Sequence, residues 1–161
     1  MSEILFRGKR KDNSEWVFGH NIILGKRKDN GERRAFIVPT GEYIDDCKTK
    51  TGRLILIMPQ IEIIPETIGQ CTGLKDKNGK KIFEGDIIRA ITLDAGTESM
   101  AIVCFGNFID ENNGDEDIGF YIEFDGIKTT ITQLAMEECK NRIEVIGNIH
   151  DNSELLKGDE K

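Results

Sequence analysis

The chain is poor in the residues that carry most recognisable chemistry. It has two histidines, His20 and His150, and neither stands beside a cysteine or serine in a nucleophile motif. It has no P-loop, no G-x-G-x-x-G and no H-E-x-x-H, so the phosphate-cradling, dinucleotide-binding and zinc-peptidase classes lack their marks. Its four cysteines, Cys47, Cys71, Cys104 and Cys139, lie 24, 33 and 35 residues apart without a C-x-x-C pair. That spacing argues against zinc and against a disulfide framework, and predicts reduced thiols, most of them buried. No apolar run approaches the ~18 residues a membrane span needs. The first residues, MSEILFRGKRKD, put charge after a very short apolar stretch, the reverse of a signal peptide, so the expected location is cytoplasmic.

What the chain does have is charge, unevenly spread. Residues 1–90 carry 17 Lys and Arg against 13 Asp and Glu, while residues 91–161 carry 5 against 16, within a total of −7. The first half is suited to an acidic partner and the second would repel one. At 161 residues the chain is one domain or two small ones.

Short apolar runs separated by turn residues predict a mainly β protein. The stretch from Thr67 to Ile91, TIGQCTGLKDKNGKKIFEGDIIRAI, organises the half of the chain beyond it. Asn78-Gly79 predicts a type I′ hairpin turn, and Glu84-Gly85-Asp86 a second tight bend feeding a β-branched strand. Thr67, Thr72 and Gln70 have the chemistry of pocket lining, but turn geometry accounts for the stretch. Upstream, strands are expected at 3–7, 15–19 with 22–24 after a bulge, 33–38, 53–58 and 61–64. The hexapeptide GKRKDN occurs twice, at 8–13 and 25–30, each time linking two apolar runs. Pro59 and Pro65 bracket the expected domain boundary. Downstream, strands are expected at 89–93, 100–105, 119–124, 127–131 and 142–149. Gly106 to Gly119 reads as a long loop, 132–140 as a short helix capped by Thr132, and Leu155 and Leu156 as part of a last helical turn capped by Asn152 or Ser153. The organisation expected is an N-terminal β-meander over 1–65, a small SH3-like β-barrel with a short helix over 66–151, and a helical turn with frayed tail over 152–161.

Two clusters resemble sites. The basic turns, Lys9-Arg10-Lys11, Lys26-Arg27-Lys28 and Arg33-Arg34, have the make-up of nucleic-acid-contacting clusters, the first two offered as partner- or phosphate-contacting patches, with Trp16, Phe18 and Phe36 as aromatic neighbours. The bland reading is soluble hairpin tips. The acidic loop within 107–118 offers oxygens from Asp110, Asn112, Asp115 and Asp117. Counted from Asp110, however, its glycine falls fifth rather than sixth and its flanks are β-like, so a solvated loop is the better reading than calcium. No catalytic residue, cofactor or metal site stands out.

TIGQCTGLKDKNGKKIFEGDII closely resembles the signature of the YopX family, proteins encoded by bacteriophages and prophages. FRGKRKDNSEWVFG at 6–19 and VIGNIHDNSELL at 145–156 resemble it too, so the likeness spans nearly the whole chain. Cys71 and His150 stand where the pattern has an aromatic. The resemblance implies an SH3-type barrel in the C-terminal part and no known activity. The preferred function is a non-enzymatic phage accessory protein in the host cytoplasm, binding another protein or itself as a homo-oligomer. The alternative is a nucleic-acid-binding module using the basic turns, and the third reading is an enzyme of unrecognised type.

Overall fold

β-branched and aromatic residues alternating with polar ones build antiparallel sheets throughout the computed structural model, which describes residues 4–25, 31–40, 47–48, 54–55, 59–91, 98–124, 126–132 and 143–156. The chain divides into two compact units, Met1–Gln70 and Cys71–Lys161.

In the first unit β1 (Phe6–Lys9), β2 (Trp16–Gly25) and β3 (Arg34–Pro39) pair in succession, and β6 (Ile61–Ile63) adds to β3. β4 (Cys47–Lys48) and β5 (Leu54–Ile55) form a separate two-stranded ladder. The expected bulge in β2 is present as a register shift between Gly19 and Asn21. Ala35, Ile37 and Ile63 are the fully buried centre, with Phe6, Val17, Ile22, Ile61 and Ile68 around them. The sheet curls until Arg10 bridges Ile63, with Ile64 N donating to Lys9 O at 2.8 Å and Lys11 N to Glu62 O at 3.0 Å. Gly8, expected in a turn, lies inside β1, because a Cβ there would meet Ile63 Cδ1 at 2.7 Å. Here glycine serves close packing, and the turn begins at Lys11.

β7 (Gly69–Lys75) starts in the first unit, where Gln70 and Gly69 pair with Phe6 and Arg7. It continues in the second, where Cys71 pairs with Phe83 of β8 (Lys81–Phe83). There β9 (Asp86–Ile91), β10 (Glu98–Ile109), β11 (Glu116–Phe124) and β12 (Ile127–Thr130) pair in succession, and β13 (Ile143–Asn148) returns beside β9. The order is therefore β12-β11-β10-β9-β13, an open antiparallel sheet. Ile82, Ile88, Ala101, Val103, Ile122, Ile131, Ile143 and Val145 make its core. Neither unit is closed by a continuous ladder among the described residues.

Two further expectations change. Asn78-Gly79 is not a type I′ turn: Gly79 has φ +79°, but Asn78 is not in the positive region. Instead Gly79 N donates to Asp76 O and Asp76 N to Lys80 O, both at 2.9 Å, a tight turn ending in a left-handed glycine. The Asp76 side chain decides this by accepting from the amides of Asn78 and Lys80 at 2.8 and 2.9 Å. The expected long loop from Gly106 to Gly119 is also mostly strand, because β10 runs on to Ile109 and β11 starts at Glu116. Its two glycines are cross-strand partners within the ladder. The expected helix over 132–140 and the second copy of GKRKDN, including Lys26, Arg27 and Lys28, lie outside the described residues, apart from Thr132 and Gly25.

Candidate functional site

The basic tip of the first unit is held by carboxylates. Arg10 makes a two-pronged contact with Asp12, Nε to Oδ1 at 3.0 Å and NH2 to Oδ2 at 2.6 Å. Lys11 Nζ hydrogen-bonds Glu32 and lies 3.5 Å from Glu62 Oε1. Arg34 forks onto Glu62 at 3.1 and 2.9 Å. Hydrogen bonding is the leading cause of the shifts here, raising Lys11 and Arg34 and lowering Asp12 and Glu62 relative to their ordinary values. Arg7 and Lys9 sit over the Trp16 ring, at 4.7 and 5.7 Å from its centroid. Arg10 and Lys11 of the basic tip are thus engaged by acids to which the sequence assigns no role, while Lys9 lies over Trp16. A phosphate arriving here competes with Asp12, Glu32 and Glu62.

The second unit carries the opposite arrangement. The β10–β11 hairpin is a two-stranded ribbon, one face of which buries Val103 and Ile122 in the core. The same face continues through the pair Phe105–Phe120, whose rings meet edge-on at 4.9 Å, to Asn107–Ile118 and Ile109–Glu116. Beyond the core its apolar side chains are exposed: Phe105 49%, Ile118 71% and Ile109 53%. Glu111, Asp115, Glu116 and Asp117 surround this end, all exposed, and none makes an ion pair with a described residue. A groove of about 660 Å³ opens there, with Asn107, Ile109, Asp117, Ile118 and Lys128 among its walls. These apolar residues do not stand out in the sequence, because the acid content of 107–118 hides a strand pattern continuing across Gly106.

The loop at the ribbon's tip is built, not merely solvated. Asp110 is buried, and its carboxylate accepts from Asn112 N and Nδ2 at 2.9 Å and from Thr130 N at 3.0 Å. Those amides hold its carboxyl below the usual range. Glu111 N donates to Lys128 O at 3.0 Å, so the loop covers the outer edge of β12. Among the described residues no group of three or more His, Cys, Asp or Glu is placed to hold a metal ion.

The threonines with pocket-lining chemistry are structural in the same way. Thr67 Oγ1 accepts from Lys9 N and donates to Ile64 O. Thr72 Oγ1 donates to Ile82 O and accepts from Leu74 N. Gly85 has φ +78°, and Asp86 accepts from Phe83 N at 2.8 Å. Asn148 Oδ1 accepts from the amides of His150 and Asp151, each at 3.0 Å.

The family model described as YopX protein matches residues 5–157. The chain belongs to the YopX family. Protein EF1440 from Enterococcus faecalis, known by its crystal structure, is similar over 95% of this chain and 97% of its own, with a TM-score of 0.52 and 25% identity. No curated protein matches. The stretches 67–88 and 145–156 contain the Gly85-Asp86 and Asn148 turns just described. No helix among the described residues is long and apolar enough to cross a membrane.

Proposed function

We propose that this YopX protein is a non-enzymatic phage or prophage accessory protein, acting in the host cytoplasm by binding other proteins. The observation that carries the reading is the contrast between two surfaces. The basic tip is already compensated by Asp12, Glu32 and Glu62, whereas the β10–β11 ribbon exposes Phe105, Ile109 and Ile118. Monomeric soluble proteins seldom leave a contiguous apolar surface uncovered without an interaction to use it. The architecture proposed with it is an N-terminal meander and an SH3-like second unit. Its support is the strand order, in which the last strand returns beside the first of a four-strand succession.

Nucleic-acid binding through Lys9, Arg10 and Lys11 is the second reading, favoured by the stacking of Arg7 and Lys9 on Trp16. A fluorescence titration with single- and double-stranded oligonucleotides separates the two. The expected result is no saturable binding near physiological ionic strength. A complex that weakens steeply with salt, and vanishes when Lys9, Arg10 and Lys11 are all alanine, overturns the protein-binding reading. Light scattering after size exclusion, at low and moderate salt, then sorts self-assembly from binding to a different chain.

A further inference from the structure

Resting on that reading, we infer that the exposed apolar face of the β10–β11 ribbon takes a basic, apolar-bearing segment of a partner protein. The face is the outward continuation of the core: Val103 and Ile122 are buried, Phe105 and Phe120 half cover one another, and Ile118 and Ile109 stand in solvent. Burying these side chains supplies the affinity. The rim supplies the choice of partner. Glu111, Asp115, Glu116 and Asp117 ring the exposed end with no compensating cation among the described residues. Lys128 is the one described cation at the groove, and it lies 3.9 Å from Glu123 and over the Tyr121 ring. Complementary charge steers the encounter and rejects acidic competitors.

A second copy of the chain is a poorer occupant. Two ribbons meeting face to face would bring one acidic rim into the same interface as the other. A head-to-tail contact would need the basic tip, whose Arg10, Lys11 and Arg34 are already held by Asp12, Glu32 and Glu62. A different protein, carrying lysines or arginines alternating with aliphatic side chains, meets both demands of the surface.

The test uses two fluorescein-labelled peptides, one alternating lysine with valine and one alternating glutamate with valine, titrated with the whole chain and followed by anisotropy. The lysine peptide should bind saturably and the glutamate peptide should not. Ile109→Ser with Ile118→Ser should weaken the complex about tenfold or more, because apolar anchors carry most of an interface's energy. Glu111→Lys with Glu116→Lys should move the preference to the glutamate peptide. All four side chains are exposed, so a melting temperature close to the parent's certifies each variant as folded. Failure of the lysine peptide to bind, or binding indifferent to the serine pair, overturns the assignment. Either result leaves the wider protein-binding reading to the oligonucleotide titration, which does not involve this face.

Discussion

Phe108 stacks on Tyr121 with ring centroids 4.8 Å apart, although the two are not cross-strand partners. Tyr121 is paired with Cys104, and Phe108 with Asp117. In a flat ladder four residues of strand would separate them by about 13 Å. The ribbon must bend towards this face, and the bend falls where Gly106 faces Gly119, a cross-strand pair with no side chains to obstruct it.

The two glycines should respond differently to substitution. Gly106 has φ +149°, a region closed to residues with a Cβ, whereas Gly119 has no positive φ and a Cβ there meets nothing within 4 Å. Gly106→Ala should cost about 1–3 kcal/mol, and Gly119→Ala well under that. Urea unfolding of both variants measures the difference. Equal losses would mean that the bend is not set by the Gly106 backbone.

A second prediction concerns the edge of β12. Asp110 holds Thr130 N, and the neighbouring Glu111 amide donates to Lys128 O. Asp110→Ala should release this cover, speeding amide exchange at Thr130 and Asn112 and exposing a strand edge that invites aggregation. Calcium should not shift the melting temperature of the parent, because the Asp110 oxygens already accept amide protons. A calcium-dependent rise of several degrees would restore the metal reading.

Legibility in the sequence follows the range of the forces involved. Local signals hold: Gly85 and Gly79 do adopt positive φ, β2 does bulge after Gly19, and Ser153–Leu156 does form a helical turn. Signals that depend on a distant partner mislead. Gly8 resembles a turn glycine until Ile63 is brought against it, and Asp110 resembles a solvated acid until Thr130 is. The basic tip is legible as a cluster, but its neutralisation by Glu32 and Glu62 depends on pairings 21 and 28 residues away. The apolar stripe is hidden because Ile109 and Ile118 flank five acids, and composition outweighs alternation.

Gly79 and Gly85 give a third prediction. Both have φ near +80°, and a β-branched residue strongly resists that region. Gly79→Val and Gly85→Val should each lower stability by about 1–3 kcal/mol. At Gly79 an added Cβ has open space around it, so the loss there is expected to come from backbone strain rather than from a clash at the Cβ. Melting with the parent would show that these glycines are dispensable.

Cys104 should be a slow thiol. Burial pushes it above its ordinary value, outweighing the hydrogen bond with Tyr121, which acts the other way. Because the thiolate is the nucleophile, alkylation of Cys104 at pH 8.5 should lag that of a small free thiol, and its rate should still be climbing at pH 9. Peptide-level mass spectrometry after timed iodoacetamide quenching reads this directly. A rate that has levelled off by pH 8 would refute it.

The last prediction ties a family signature to acid stability. Asp76 is buried beneath the turn, where burial favours the neutral acid, yet the amides of Val145, Lys80 and Asn78 outweigh that and hold its carboxyl below the usual range. The Val145 bond, 3.1 Å long, joins this turn to a strand 69 residues away. A carboxyl depressed on folding contributes stability that is fully present above its unfolded pKa, near 3.8. That contribution is lost as pH falls through the lower folded value. Asp76→Asn keeps the shape but sets an amide nitrogen against one or more of those backbone donors, and should cost about 1–3 kcal/mol at neutral pH. Asp12, Glu62, Asp110 and Glu144 are depressed as well, so the parent alone would not isolate Asp76. The difference between parent and variant does. It should be constant from pH 7 down to about pH 5, then shrink as the parent's own carboxyl is protonated. A difference that stays level to the lowest pH at which both fold would mean that the charge on Asp76 is not what secures Val145.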